Sequence, residues 1–465
     1  MTQGTPREAE LREAVEAGFP AALADLTRLV RIPSVSWDGF DPDQVVRSAG
    51  AVAQLARDTG VFEEVEIVRV PMAGRSDEGL PAVLARRPAR NGRPTVLLYA
   101  HHDVQPPGED TDWETAPYEP TLRGERLAGR GAADDKAGVI AHIAAIRALL
   151  AAGIDPEVGI VLYAEGEEEF GSRSLPTFLE RFHDKLAADA IVVADSGNWD
   201  LDTPALTIAL RGMVAFNLRV TTLGHAVHSG MFGGALPDAM LATIRMLATL
   251  WDEDGAVAVP GLRSHDAATP AYDEAKLREE SGLPAGVDPI GRGEILHREW
   301  YQPSITVTGI DAPSVLNASN TLLPSVRVRI AARVAPGQDA QEFWEILRDH
   351  LLANAPYGAK LEFDGFDMGQ PFLVDVEGWA VDDTLAAMGE AWEAEPVLMG
   401  AGGSIPFTAD LVAHYPSAQI LITGVEDPDS RAHSPNESVH LPTLRRAILS
   451  EAFLLSRMNA RTIKP

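Results

Sequence analysis

Four short runs of continuous apolar residues punctuate the chain, and each stops at, or leads to, acids and histidines. Thr95-Val-Leu-Leu-Tyr-Ala100 ends in His101-His-Asp103, and Val158-Gly-Ile-Val-Leu-Tyr-Ala164 ends in Glu165-Gly-Glu-Glu-Glu169. Ala190-Ile-Val-Val-Ala194 ends in Asp195, and Ala418-Gln-Ile-Leu-Ile-Thr423 leads through an acidic loop to His433. Unbroken apolar runs of this length suit strands covered on both faces of a sheet. Between them lie helical patterns: Leu11, Val15, Phe19, Ala22, Leu23, Leu26 and Val30 space a helix over 6–31, and others fall at 43–59, 136–152 and 175–185. Strand–helix alternation predicts an open α/β sheet, and such sheets carry their sites beyond the carboxyl ends of the strands.

The pattern changes near Thr207. Residues 208–220 alternate as one half-buried antiparallel strand; a helix at 237–251, strands at 304–308 and 325–334 and a helix at 340–353 follow. These predict a compact α+β insert over 208–372, interrupting a first domain made of 1–207 and 373–465. The Gly-, Pro- and charge-rich stretch 252–297 reads as a long excursion with some helix inside the insert.

Composition narrows the chemistry. The 465 residues suffice for two or three domains, and the absence of cysteine excludes disulfides, thiolate metal ligands and thiol nucleophiles. A formal charge of −29 speaks against a nucleic-acid surface and is read as a solvated acidic exterior. No apolar run approaches a membrane span, and the first ten residues have no signal-peptide core, so a cytoplasmic, membrane-free protein is expected.

Gly129-Arg-Gly-Ala-Ala-Asp-Asp-Lys136 places two adjacent acids at the start of a helix anchored by Val139, Ile140, Ile143, Ile146 and Leu150. Alone, such acids cap a helix. Taken with His101, Asp103, Glu165, Glu167, Glu168, Glu169, Asp195 and His433, they form a set whose mutual repulsion divalent cations would relieve. Imidazoles and carboxylates without sulfur suit zinc, with manganese or cobalt as substitutes. A pair of metals requires one bridging carboxylate and a water between them. Asp103, two residues past His101, is placed to hold the other ring nitrogen of a metal-bound histidine, while His102 points to the opposite face. Glu168-Glu169 offers one carboxylate to a metal and leaves its neighbour as a base for water.

In this order the clusters resemble the M20 family of metallopeptidases, two-zinc amidohydrolases, from Arg31-Ile-Pro-Ser34 to His433-Ser-Pro-Asn-Glu437. Tyr99-Ala-His-His-Asp-Val-Gln-Pro106, Ala226-Val-His-Ser-Gly-Met-Phe-Gly-Gly234 and Gly402-Gly-Ser-Ile-Pro406 look most like the dipeptidase branch that includes carnosinase and related bacterial dipeptidases. The resemblance implies a sheet-and-helix catalytic domain interrupted by a smaller α+β lid that also forms a homodimer. It implies that His101 and Asp195 bind one zinc, that Glu169 and His433 bind the other, and that Asp134 bridges them with a cis peptide to Asp135. Glu168 matches the general base, Asp103 the residue behind His101, and His228 a histidine that reaches the partner subunit's site. Arg333 matches an arginine gripping the substrate's terminal carboxylate, and Ser404 a residue lining the same pocket. The chain departs from the family pattern at Ala100, at Ala137 and at Gly400-Ala401, the last where carnosinase-like members tend to carry Arg-Glu. The activity so implied is hydrolysis of dipeptides with a free C-terminal carboxylate. An N-acyl-amino-acid deacylase or carboxypeptidase is the nearest alternative, and a catalytically silent metal- or peptide-binding relative the non-enzyme one.

Overall fold

A computed structural model describes residues 6–374, 376–402 and 406–463. Its contacts divide the chain into two compact units, one of Met1–Ile208, Val374–Met399 and Asp410–Pro465, the other of Ala209–Leu373 and Gly400–Ala409.

In the first unit the apolar runs lie side by side. Six strands of a nine-stranded sheet run in the order Glu64–Val68, Ala82–Arg87, Gly159–Glu165, Thr95–His101, Ala190–Val193, Gln419–Ile422. The last four are parallel, and every residue of Gly159–Glu165 and Ala190–Val193 is buried, as unbroken apolar strands require. Glu64–Val68 and Ala82–Arg87 add antiparallel, so the sheet is mixed. Ala82–Arg87 does not stand out in the sequence because its two arginines break the apolar run.

The helix Lys136–Ala151 packs against Thr95–His101 and lies between Pro6–Val30 and Leu441–Ala460. Val139, Ile140, Ile143 and Ile146 are all buried in that core. Leu150, expected to anchor the same helix, instead stands exposed at its end. Truncating a core residue such as Ile143 to alanine would cost about 2–5 kcal/mol.

The second unit carries an antiparallel sheet in the order Ser304–Asp311, Ser325–Val334, Gly212–Thr221, Lys360–Gly369. Alternation along Ser325–Val334 buries Val326, Val328 and Ile330 against the helices Ala239–Leu247 and Ala340–Ala353. Arg327, Arg329 and Arg333 occupy the opposite face, half-buried.

The single strand expected at 208–220 is two, Ala205–Leu210 and Gly212–Thr221, with a break at Arg211. A Cβ at Gly212 would lie 2.6 Å from the Gly369 carbonyl oxygen, so only glycine allows the backbones to approach there. The excursion contains the helices Glu274–Ser281 and Ile295–Trp300.

Candidate metal and catalytic site

His101 is the last residue of its strand, with its ring wholly buried. Its Nε2 lies 3.0 Å from Asp134 Oδ1 and 3.7 Å from Asp195 Oδ1. The other oxygen of Asp134, Oδ2, lies 2.9 Å from His433 Nε2, which is also 3.1 Å from Glu169 Oε2. One carboxylate thus faces two histidines with separate oxygens. The result is two donor groups that share Asp134: His101, Asp134 and Asp195, and Asp134, Glu169 and His433.

The loop that presents Asp134 is held from beneath. Glu437 is fully buried and accepts hydrogen bonds from the amides of Gly131, Ala133 and Asp134 and from Arg130 Nη1 at 2.6 Å. The Asp134–Asp135 peptide is cis. Asp135 Oδ2 accepts from the backbone amide of His101, so this acid fixes the strand end rather than joining either donor group. Lys136 donates to the carbonyls of Leu29 and Ile32, and burial pulls its amine down to about 7.

Asp103 does more than stand behind His101. His101 Nδ1 lies 3.4 Å from the Asp103 carboxylate and 3.2 Å from its carbonyl. The same carboxylate accepts from the amides of Glu168 and Glu169 at 3.2 and 3.1 Å, which fixes the turn carrying both acids. Glu168 Oε2 lies 4.0 Å from His101 Nε2, outside both donor groups but beside the first. Gln105 donates to Glu169 Oε2 at 2.7 Å, and Trp37 to the Glu169 carbonyl.

Two acids of the same run turn elsewhere. Glu165 accepts from the Tyr99 hydroxyl at 2.7 Å, and burial pushes it up to about 8. Glu167 accepts from the amides of Leu80 and Ser174. His102, as expected, faces away and donates to the Pro81 carbonyl, and burial lowers it to about 4.

The electrostatics test whether cations fit. Burial raises Glu168, Glu169 and Asp195, with neighbouring acids adding to the effect; Glu169 reaches about 7. Hydrogen bonds to Asp134 and Glu169 raise His433 to about 11. Burial opposes charge on His101, yet Asp103, Asp134 and Asp195 outweigh it and raise the ring well above its usual value. The cluster therefore draws protons onto its own ligands. A site that gathers positive charge so strongly, with oxygen and imidazole nitrogen as donors and no sulfur, fits divalent cations.

The remaining expected residues belong to the second unit or to undescribed positions. His228 is exposed and caps the short helix Ser229–Phe232: its Nδ1 accepts from the Gly230 amide at 3.0 Å. Arg333 is half-buried, and among the described residues its guanidinium has no hydrogen-bond partner. Ser404 lies outside the described residues. Glu437 and Gln105 were not singled out from sequence; for Glu437 the available signal was an acid four residues beyond a candidate ligand histidine.

Comparison with known proteins agrees with this geometry. Residues 97–456 match the profile of peptidase family M20/M25/M40. The chain is 35% identical over 369 residues to the cysteinylglycine-S-conjugate dipeptidase of Corynebacterium striatum, covering 78% of this chain and 81% of that one. It is 28% identical over 457 residues to the Cys-Gly metallodipeptidase of Schizosaccharomyces pombe, covering 94% and 96%. Human carnosine dipeptidase 1 superposes with a TM-score of 0.80 at 24% identity, covering 99% of this chain and 100% of that one. The chain belongs to peptidase family M20/M25/M40. It is a metallopeptidase, a hydrolase whose family implies a divalent metal. Among the described residues, no helix is long and apolar enough to cross a membrane.

Proposed function

We propose that this protein is a homodimeric two-zinc dipeptidase acting on dipeptides with a free C-terminal carboxylate, with manganese or cobalt as substitute metals. The observation that carries the reading is the shared carboxylate: Asp134 divides its oxygens between His101 and His433, with Asp195 and Glu169 completing the two donor groups. His101 and Asp195 would hold one cation, Glu169 and His433 the other, and Asp134 both. When bound, the cations would polarise the scissile carbonyl and make water acidic enough to attack near neutral pH.

Glu168 lies beside the first donor group but outside both, the position a general base requires. Its buried carboxyl has a raised proton affinity that bound cations would draw down, leaving it able to take the proton of the attacking water and deliver it to the leaving amine. Asp103 keeps the His101 ring oriented and the Glu168-Glu169 turn in place. In His228 the Nδ1 that accepts from Gly230 carries no proton, so the neutral ring bears its hydrogen on Nε2. That N–H suits a donor to the developing oxyanion, offered to the partner subunit's site from a lid. Arg333, half-buried and with its guanidinium unpartnered among the described residues, suits the substrate carboxylate.

The relatives named above act on dipeptides by their names, which favours dipeptides over acylated amino acids here. The test is amine release from a panel of unblocked dipeptides and matching N-acetyl amino acids, with zinc or manganese added. Cleavage of the unblocked set alone is expected. Cleavage of the acetylated set instead would move the protein to the deacylase alternative and overturn the substrate assignment while leaving the metal site standing.

A further inference from the structure

The second unit contains a cavity of about 550 Å³ that has no part in the roles assigned above. Its size falls within the roughly 300–1,000 Å³ usual for small-ligand sites. Its lining combines polar side chains, among them Arg211, Asp288, Arg298 and Glu299, with apolar ones, among them Val287 and Ile290. Val287 and Ile290 are 49% and 69% exposed, although side chains of this kind gain free energy by leaving water.

Of the four charged side chains in this lining, Arg211 and Glu299 form no ion pair with each other among the described residues. Arg211, at the break between two strands, donates only at 3.3 and 3.4 Å to Ser304 Oγ and the Gln302 carbonyl, and its Nε is buried with no partner. Burial and then the charge of Arg333 lower its affinity for a proton to about 10, so the site favours an anion beside it. A larger side chain at Gly402 would intrude on this guanidinium, since a Cβ there would lie 2.9 Å from Nη2. Glu299 is half-buried, and among the described residues its carboxylate makes no hydrogen bond or ion pair. Burial raises its proton affinity against the pull of Arg211 and Arg298. A desolvated cation and a desolvated carboxylate facing one apolar-walled space are costly apart and would both be relieved by one zwitterion.

We propose that this cavity binds a free α-amino acid with a bulky apolar or aromatic side chain, its carboxylate on Arg211, its ammonium on Glu299 and its side chain against Val287 and Ile290. This is a second ligand site, built from residues of the second unit alone, for the chemical class that dipeptide hydrolysis releases. It does not depend on the metal centre or on the peptidase reading.

Isothermal titration of the full-length protein with L-phenylalanine, carried out both metal-loaded and after chelation, tests it. Binding is expected in both states. L-phenylalaninamide, which lacks the carboxylate, and N-acetyl-L-phenylalanine, which lacks the ammonium, should each bind about tenfold more weakly or worse. Arg211→Met and Glu299→Gln should each weaken phenylalanine by a similar factor, and Glu299→Gln, nearly isosteric, guards against misfolding of the arginine variant. Absence of binding in the millimolar range, binding that disappears on chelation, or wild-type affinity in both variants would each overturn the proposal. None of these results bears on whether dipeptides are cleaved at the metal site.

Discussion

Glu437 shows how much one side chain does beneath the candidate site. It is fully buried, accepts from three backbone amides of the loop carrying Asp134, and is paired at 2.6 Å with the equally buried Arg130. Removing one member of a buried ion pair strands the other in a medium that solvates it poorly. Glu437→Gln is therefore expected to cost about 3–5 kcal/mol in urea unfolding, and to weaken metal binding because the Asp134 loop loses its support. Unchanged stability would refute this account of the loop. His142 offers a different test. Its ring is buried, with Nδ1 2.9 Å from the Glu451 carboxylate and Nε2 2.9 Å from the Tyr99 carbonyl, so both nitrogens face acceptors and the imidazolium is favoured. Burial opposes that charge, but Glu451 and the Tyr99 carbonyl outweigh it and raise the ring above its ordinary 6.5. A raised histidine contributes stability that is complete below the unfolded value and declines as pH climbs through the folded one. The stability difference between the wild type and His142→Phe should therefore be larger near pH 6 than near pH 9. A difference that grows with pH would show that the ring is neutral in the fold.

At the scale of elements, the 3₁₀ turn Glu168–Phe170 is where chemistry meets support. Asp103 binds the amides of Glu168 and Glu169 and also faces the His101 ring, so one carboxylate aligns a candidate base and two candidate ligands. Asp103→Asn keeps the shape but loses the charge and one acceptor. Metal affinity or turnover is expected to fall about 10–100-fold, as for other groups that orient metal ligands, and a titration with a metal indicator would show whether affinity is the part lost. The same turn explains what could be read from sequence. The apolar runs and the acids and histidines that end them were plain, because strands buried on both faces admit little else, and His101, Asp134, Asp195, Glu169 and His433 do come together. Sorting the acids within Glu165-Gly-Glu-Glu-Glu169 was not possible from pattern. Their directions are set by segments distant in sequence: the Tyr99 hydroxyl takes Glu165, the Leu80 and Ser174 amides take Glu167, and Asp103 turns the backbone of the next two. Strand Ala82–Arg87 and the break at Arg211 were hidden for a related reason, since arginines within a strand and a glycine required by a neighbouring backbone leave no periodic signal.

For the molecule as a whole, the proposal makes each catalytic centre depend on two copies of the chain. His228 is exposed, and its Nδ1 accepts from the Gly230 amide, an arrangement compatible with a helix start alone or, through the other ring nitrogen, with an intermolecular donor. The two possibilities differ in what mixing does. Glu168→Gln should retain metals and fold but lose turnover, and His228→Ala should lose turnover through the missing donor. In a twofold dimer each subunit contributes the same surface to the other, so a mixed dimer carries one centre with both defects and one with neither. Equal mixing by co-expression with two tags, followed by purification, should then yield about half mixed dimers, each with one of two centres intact, and hence about a quarter of wild-type activity. Isolated mixed dimers should approach half. If verified mixed dimers remain as inactive as either parent, His228 serves its own subunit or only its own turn. The rescue also separates donor loss from misfolding, because a misfolded His228→Ala subunit could not supply the working Glu168 that restored activity requires.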